Sequence, residues 1–126
     1  LKATVRRIYS SPPPTGALLV NNVLPDADLT AQWQAELQEM RERIIKMREI
    51  LKAKLSHALP NRDFGYLTTQ QGMFSYTGLT ANQVDTLKDT YGIYLLRSGR
   101  MCAAGLNLNN IDYVAQSIVD VIKASA

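Results

Sequence analysis

A turn that ends in an arginine, Ser98-Gly99-Arg100, is the feature of this sequence best suited to chemistry. Two short apolar runs flank the turn, which predicts a hairpin with the guanidinium at the edge of a small sheet. The planar fork of arginine donates two parallel, charge-assisted hydrogen bonds to a carboxylate, so a fixed arginine can anchor a small acidic ligand. From these residues alone, an exposed hairpin arginine without a ligand explains the pattern equally well.

Residue types that build a catalytic centre are sparse in the rest of the sequence. Cys102 is the single cysteine and His57 the single histidine, so the sequence shows no metal-ligand cluster and no Ser/His/Asp or Cys/His set that this histidine would complete. Cys102 stands inside an apolar run, and we predict a small buried side chain there rather than a reactive thiol. The sequence also contains no glycine-rich phosphate loop of the common types. It therefore offers candidate binding groups without a recognisable catalytic set.

The composition is that of one ordinary globular domain. The chain has 126 residues, of which 46% are hydrophobic and 20% charged, enough to form a core without disulfide bonds. Its net charge of +3 comes from Lys2, Arg6 and Arg7, which do not form the basic stripe that nucleic acid requires. No apolar stretch reaches the roughly 20 residues needed to cross a bilayer. The single cysteine fits a reducing compartment, so we expect a cytoplasmic protein with neither nucleic-acid nor membrane partners.

The first half of the sequence predicts two helices. Three prolines favour a rigid, extended backbone over residues 10–14. Thr15 is the predicted N-cap of a short helix over residues 16–24. Asp26 or Asp28 supplies an acidic first turn to a long helix over residues 26–59, in which apolar side chains recur at spacings of three and four. We predict that this apolar stripe packs into a core; its members are Leu29, Trp33, Leu37, Met40, Ile44, Met47, Leu51 and Leu55.

The second half predicts short strands that alternate with helices. The predicted strands cover residues 64–68, 73–76, 93–96 and 101–104, and the predicted helices cover residues 80–91 and 107–124. Thr80 is the predicted N-cap of the first of these helices, and Gly92 suits the left-handed position that ends it. This order of elements predicts an α+β fold.

Three segments carry a family resemblance: Val5-Arg-Arg-Ile-Tyr-Ser-Ser-Pro-Pro13, Gly72-Met-Phe-Ser-Tyr-Thr-Gly-Leu79 and Ser98-Gly-Arg-Met-Cys-Ala-Ala-Gly-Leu-Asn107. Together they resemble the aspartate and aromatic-amino-acid aminotransferases, which are pyridoxal-phosphate enzymes of fold type I. Residues 40–48 are similar to the long interdomain helix of the same family. The matches keep the family's order and spacing along the whole chain. Ser10-Ser11 and Met101-Cys102 resemble the bacterial tyrosine (aromatic) branch more than the aspartate branch.

The resemblance implies the C-terminal part of such an enzyme, and a start at Leu1 rather than Met fits a fragment. Residues 1–25 would return from the large domain with a dimer-contact loop, and residues 26–59 would be the interdomain helix. Residues 60–126 would be the small domain, with helices packed on a small, mostly antiparallel sheet. In this family the Schiff-base lysine and most phosphate ligands lie upstream. Pyridoxal 5'-phosphate would therefore be bound by the missing N-terminal part, and we expect no catalytic, cofactor-binding or metal-binding residue and no transaminase activity in this chain alone.

Three substrate-binding residues are also implied by the resemblance. Arg100 matches the arginine that holds the α-carboxylate of the amino acid as a bidentate pair. Arg6 matches the arginine that reaches into the neighbouring subunit of a homodimer and pairs with the second carboxylate of aspartate, glutamate or 2-oxoglutarate. Phe74 matches a side chain that lines the substrate entrance, although filling the core explains it about as well. Arg97 departs from the family, which usually has a small residue before Ser-Gly-Arg.

The implied function is transfer of an amino group between aromatic (or dicarboxylic) L-amino acids and 2-oxoglutarate, with amino acids and 2-oxo acids as substrates. Two alternatives stay open: a stand-alone module that binds small carboxylates, and an interaction domain led by the long helix. The interaction hypothesis predicts that changes at Leu37 and Ile44 abolish partner binding without unfolding the domain. A core role for the apolar stripe predicts unfolding instead.

Overall fold

The chain consists of helices and one small antiparallel sheet. The computed structural model describes residues 1–10 and 13–125, and in this part of the chain the helices are α1 (Lys2–Tyr9), α2 (Thr15–Val23), α3 (Ala27–Ala58), α4 (Tyr66–Thr69), α5 (Ala81–Tyr91) and α6 (Ile111–Ala124). The strands β1 (Phe74–Tyr76) and β2 (Arg100–Cys102) pair antiparallel, and a 3-10 turn (Ala103–Gly105) follows β2. The predicted α+β class is confirmed.

The chain divides into two compact units, Leu1–Glu39 and Met40–Ala126, which we call the first and the second unit. Among the described residues of the first unit, no side chain is fully buried. The second unit contains a continuous apolar core to which α3, α5 and α6 contribute. No helix in the described part of the chain is both long and apolar enough to cross a membrane.

The apolar stripe of α3 is buried only in its second half. Met47, Leu51 and Leu55 are buried in the core, as predicted. The predicted core position is wrong for four earlier members, which are between 45% and 53% exposed: Leu29, Trp33, Leu37 and Met40. Helical spacing places side chains on one face, but it does not specify which surface that face contacts.

Several helix ends confirm predictions made from capping rules. The Asp26 carboxylate accepts hydrogen bonds from two backbone N–H groups in the first turn of α3, both at 3.0 Å. Thr80 and Gln83 form a capping box at the start of α5, in which each side chain accepts a hydrogen bond from the backbone of the other residue. Gly92 ends α5 with φ 65°. These ends depend on residues within one turn, so short sequence patterns suffice to predict them.

Two of the predicted strands are wrong. Residues 64–68 contain the start of α4, because the Asp63 carboxylate accepts a hydrogen bond from the backbone N–H two residues later and favours a turn. Residues 93–96 pair with no strand in the described part of the chain, and the N–H of Ile93 instead bonds to the carbonyl of Leu87 at the end of α5. A short apolar run suits a strand and a buried connection equally well.

The backbone before α2 also differs from the prediction. Helix α1 occupies a segment for which no helix was predicted. The extended segment predicted for residues 10–14 includes Ser11 and Pro12, which lie outside the described residues. Pro14 has helical backbone angles, φ −79° and ψ −9°, and it is the N-cap of α2 in place of Thr15. A proline fixes φ but leaves ψ open, so it suits the start of a helix as well as an extended segment.

The boundaries after β2 are displaced by turns. β2 ends at Cys102, two residues earlier than predicted, because the 3-10 turn begins at the next residue. α6 begins at Ile111 rather than at residue 107. The side chains of Asn107 and Asn110 accept hydrogen bonds from nearby backbone N–H groups and hold the segment before α6 in a turn.

Candidate functional site

Arg100 and Phe74 lie on neighbouring strands and contact each other. In the β1–β2 register, Arg100 is opposite Tyr76 and Phe74 is opposite Cys102. The guanidinium carbon of Arg100 lies 4.7 Å from the centre of the Phe74 ring, which is within the range of a cation–π contact. Phe74 is 46% exposed, so it does not fill the core of this unit. Two of the three predicted site residues are thus brought together.

Alternation along the two strands separates an exposed face from a buried face. Phe74, Arg100 and Cys102 belong to the exposed face, whereas Ser75 and Met101 are buried. The prediction that Cys102 is buried is therefore wrong. Cys102 follows Arg100 by two residues in β2, and this spacing assigns it to the same face as the exposed arginine.

A cleft of about 360 Å³ lies beside the Arg100 guanidinium. Its lining residues are Phe74, Tyr94, Leu95, Leu96, Arg100, Met101 and Cys102. The lining combines one cation with aromatic and aliphatic side chains and includes no carboxylate. Such a surface suits a small molecule that carries a carboxylate on an apolar body.

Gly99 forms the turn that leads into β2. Its φ is +82°, a left-handed conformation that favours glycine. Its carbonyl accepts hydrogen bonds from both the backbone N–H (2.9 Å) and the hydroxyl (2.8 Å) of Thr77. A Cβ atom at Gly99 would lie 3.0 Å from the carbonyl oxygen of Leu79. The turn before Arg100 therefore requires glycine for its backbone angles and for its space.

We expect Gly99→Ala to lower the free energy of unfolding by about 2–4 kcal/mol, because the strain of a positive φ adds to the crowding against Leu79. Gly92→Ala is the matched control: its φ is +65°, but nothing lies within 4 Å of an added Cβ. The control should lose only about 1 kcal/mol. Urea denaturation of both variants measures the difference, and equal losses would contradict the spatial requirement at Gly99.

Arg97, which departs from the family pattern, has a local partner. Its guanidinium donates two hydrogen bonds to the Asp85 carboxylate on α5, from Nε to Oδ1 at 3.0 Å and from Nη2 to Oδ2 at 2.9 Å. Arg97 is not among the residues that line the cleft. The departure therefore adds an ion pair with α5 and does not place a second guanidinium in the cleft.

Arg48 is a buried charged residue behind β1 that was not predicted from the sequence. It is 4% exposed, and desolvation lowers the pKa of its guanidinium. It donates hydrogen bonds to three backbone carbonyls and one hydroxyl, those of Leu67 (2.9 Å), Gly72 (2.8 Å), Phe74 (2.8 Å) and the Ser75 side chain. It precedes Leu51 by three residues, so a charge on the apolar face of α3 was the signal available in the sequence.

The third predicted site residue, Arg6, lies on α1 in the first unit, and its side chain is exposed. Its predicted role concerns a neighbouring subunit, and it stays a prediction. Within the described residues, no group of three or more His, Cys, Asp or Glu side chains could hold a metal ion.

Known proteins match nearly the whole chain. A family model described as aminotransferase class I and II matches residues 1–118. The chain belongs to this aminotransferase family. The aminotransferase chain is 56% identical over 122 residues to the aromatic-amino-acid aminotransferase of Escherichia coli (strain K12), an alignment that covers 97% of this chain and 31% of the relative.

Solved structures agree with this assignment. One is the psychrophilic aromatic amino acids aminotransferase from Psychrobacter sp. B6 cocrystallised with aspartic acid, at 54% identity and a TM-score of 0.90, covering 96% of this chain and 30% of that one. Another is the aromatic-amino-acid aminotransferase from Burkholderia pseudomallei covalently bound to pyridoxal phosphate, at 47% identity and a TM-score of 0.88, covering 95% and 30%. This aminotransferase chain thus spans under a third of the length of these relatives.

The cleft does not fit pyridoxal phosphate as a whole. Covalent attachment of that aldehyde requires a lysine amine, and no lysine is among the cleft residues. Arg100 is the one cation among the lining residues that a phosphate could contact. The cleft residues therefore offer one cation and an apolar surface, and no amine to which this aldehyde could be attached.

Proposed function

We propose that this chain supplies the substrate-carboxylate site of a pyridoxal-phosphate-dependent aminotransferase, which transfers an amino group between aromatic (or dicarboxylic) L-amino acids and 2-oxoglutarate. The observation that carries the proposal is the contact between Arg100 and Phe74 at the edge of an apolar cleft. Membership of the family supplies the reaction class. The cofactor supplies the chemistry of amino transfer, and the residues of this chain bind and orient the substrate.

Arg100 is suited to the α-carboxylate. Its contact with the Phe74 ring holds the guanidinium without using any of its five N–H donors, so two parallel donors remain for a carboxylate. The backbone that carries Arg100 is positioned by the pairing of β2 with β1 and by the N–H of Thr77, which donates to the Gly99 carbonyl. A carboxylate that accepts two hydrogen bonds from one guanidinium loses most of its rotational freedom. The neighbouring α-carbon is thereby oriented for reaction.

The remainder of the cleft favours an aromatic substrate. Phe74, Tyr94 and Leu96 offer an apolar surface next to the guanidinium. The two relatives that share 56% and 54% of their aligned residues with this chain are both named as aromatic-amino-acid aminotransferases. We therefore assign tyrosine and phenylalanine as the preferred amino donors and 2-oxoglutarate as the acceptor.

The same proposal covers the organisation of the complete enzyme. Residues 1–25 return from the large domain, residues 26–59 form the interdomain helix, and residues 60–126 form the small C-terminal domain. The complete enzyme is a cytoplasmic homodimer, in which Arg6 of one subunit contributes to the site of the other. The alignment that covers 97% of this chain but only 31% of the relative supports a chain that forms one part of a longer enzyme.

The decisive experiment is an amino-transfer assay of the complete protein with pyridoxal phosphate, L-tyrosine and 2-oxoglutarate, in which glutamate formation is measured. We expect turnover by the complete protein and none by the isolated 126-residue chain. Failure of the complete protein with tyrosine, phenylalanine and aspartate would contradict the proposal. Binding of 3-phenylpropionate by the isolated chain, in the absence of any turnover by the complete protein, would favour the stand-alone carboxylate-binding module instead.

Arg6 tests the proposed contribution of the partner subunit. We expect Arg6→Ala to lower kcat/KM for aspartate by roughly 10- to 100-fold, because a second carboxylate loses a charge-assisted hydrogen bond. The value for tyrosine should change by less than about threefold, since its ring needs no cation. Arg7→Ala, which removes the neighbouring charge on α1, is the matched control and should affect neither substrate. Equal losses for aspartate and tyrosine would contradict the role of Arg6.

A further inference from the structure

We propose that Arg48 is a positioning residue for the contact between Arg100 and Phe74. The proposal rests on the proposed carboxylate site and adds a residue to which neither the family match nor the resemblance assigns a role. Arg48 lies on α3 and is 4% exposed. It does not line the cleft, so it acts through β1.

The guanidinium of Arg48 joins three backbone segments. Its Nη1 donates to the carbonyl of Leu67 in α4 at 2.9 Å and contacts the Ser75 hydroxyl. Its Nη2 donates to the carbonyl of Gly72, before β1, and to that of Phe74, each at 2.8 Å. Arg48 therefore holds both sides of the turn that leads into β1 and the first residue of the strand itself.

The partners of Arg48 are unusual for a buried cation. In the described part of the chain, no carboxylate forms an ion pair with it, and its charge is satisfied by dipoles of the backbone and a hydroxyl. Burial of a charge is unfavourable unless hydrogen bonds replace its hydration. A leucine or methionine would fill the same face of α3 without that penalty, so the hydrogen bonds to β1 are the distinctive contribution of arginine here.

One residue, Phe74, connects Arg48 to the cleft. Arg48 binds the carbonyl of Phe74, and the ring of the same residue lies against the Arg100 guanidinium on the other face of the sheet. The neighbouring Ser75 is buried opposite Met101 in the register of the two strands. A shift of β1 on loss of Arg48 would therefore displace the aromatic partner of Arg100. Since productive binding depends on the placement of the carboxylate, small displacements have large effects on rate.

The test compares Arg48→Lys with Ile118→Ala in the complete protein, at a temperature well below the unfolding midpoint of each. Lysine keeps the charge but cannot reach all four acceptors from one ammonium. Ile118 is buried in α6 and is not one of the residues that line the cleft. Its variant therefore lowers the stability of the core without changing the cleft. We expect Arg48→Lys to lower kcat/KM roughly 10- to 100-fold for tyrosine and aspartate alike, in kcat as well as in KM, because a displaced carboxylate is both bound and oriented less well. The Ile118 variant should stay within about twofold.

Two further readouts separate positioning from stability. Amide hydrogen exchange at Thr77 and Ala103, which bond to Gly99 and Met73 respectively, should become at least about tenfold faster in Arg48→Lys, while the amides of α6 stay protected. When Arg100→Met is already present, Arg48→Lys should not lower kcat/KM further, because the guanidinium that Phe74 positions is already absent. If Arg48 only stabilised the fold, the factors by which the two substitutions lower kcat/KM would multiply in the double variant.

Unchanged kcat/KM and unchanged exchange in folded Arg48→Lys would overturn the proposal, as would independent effects in the double variant. If Arg48→Lys does not fold, Ser75→Ala removes a single contact of Arg48 and should produce a smaller loss in the same direction; no loss at all overturns the proposal. If Arg100→Met itself keeps full activity, the proposed carboxylate site fails. In that case the exchange measurement alone still decides whether Arg48 holds β1.

Discussion

Replacement of Arg100 by methionine is expected to lower kcat/KM of the complete protein roughly 10²- to 10⁴-fold for every substrate, equivalent to about 3–5 kcal/mol of transition-state binding. All proposed substrates share the α-carboxylate, so tyrosine, phenylalanine and aspartate should lose similar factors. Methionine keeps an apolar side chain of similar length beside the Phe74 ring. The loss therefore reports the charge and the hydrogen bonds rather than the packing. Steady-state kinetics with each donor at saturating 2-oxoglutarate measures it.

Two companion variants make the result specific. Arg100→Lys keeps the positive charge but loses the bidentate fork, and it should fall between the parent and Arg100→Met. Arg97→Met removes an arginine three residues away whose guanidinium pairs with Asp85, and kcat/KM should change by less than about threefold. If Arg97→Met reduced activity as much as Arg100→Met, general electrostatic attraction would explain the data and the assignment of Arg100 would fail.

Truncation of Leu51 to alanine is expected to lower the free energy of unfolding by about 2–5 kcal/mol, because Leu51 has no exposed surface and its removal leaves a cavity. Leu37→Ala is the matched control on the same helix. Leu37 is 47% exposed, so the same change in this isolated chain should stay within about 0.5 kcal/mol. Denaturation followed by circular dichroism, with both variants at the same chain concentration, provides the comparison.

The Leu37 variant also bears on the interaction hypothesis. The sequence predicted a core role for the whole stripe, and hence unfolding on loss of Leu37. In the structure, the first half of the stripe is exposed within the chain, so a change there leaves the second unit folded. A loss of stability at Leu37 equal to that at Leu51 would contradict this division of α3.

Three helix ends that depend on one helical turn were predicted correctly, whereas the N-cap of α2 and the start of α6 were not. Asp26, Thr80 and Gly92 begin or end helices where the sequence places them, because their hydrogen bonds and backbone angles involve only neighbouring residues. The predicted strands 64–68 and 93–96 failed for the opposite reason. A strand exists only where a second strand offers its hydrogen bonds, and β2 pairs with β1 rather than with the neighbouring residues 93–96.

Some residues in and around the cleft were also predicted from the sequence, and others were not. Arg100 and Phe74 were named from the sequence through the resemblance to a family, and the structure shows that they contact each other. Arg48 was visible only as one of six basic residues in the long helix, since its acceptors lie 19 to 27 residues further along the chain. Cys102 was assigned to the core from its apolar neighbours, whereas the alternation of β2 leaves it exposed.

The family, the α+β class, the start of α3 and both ends of α5 follow from the sequence alone, and so does the choice of Arg100 as a candidate carboxylate anchor. These depend on residue identity, on spacing and on bonds within a few residues. Only the tertiary structure decided which half of the α3 stripe is buried, that the Phe74 ring lies against Arg100, and that Arg48 holds the strand between them. The physical reason is that burial and buried hydrogen bonds are properties of pairs of surfaces, and the sequence of one helix or strand does not specify its partner.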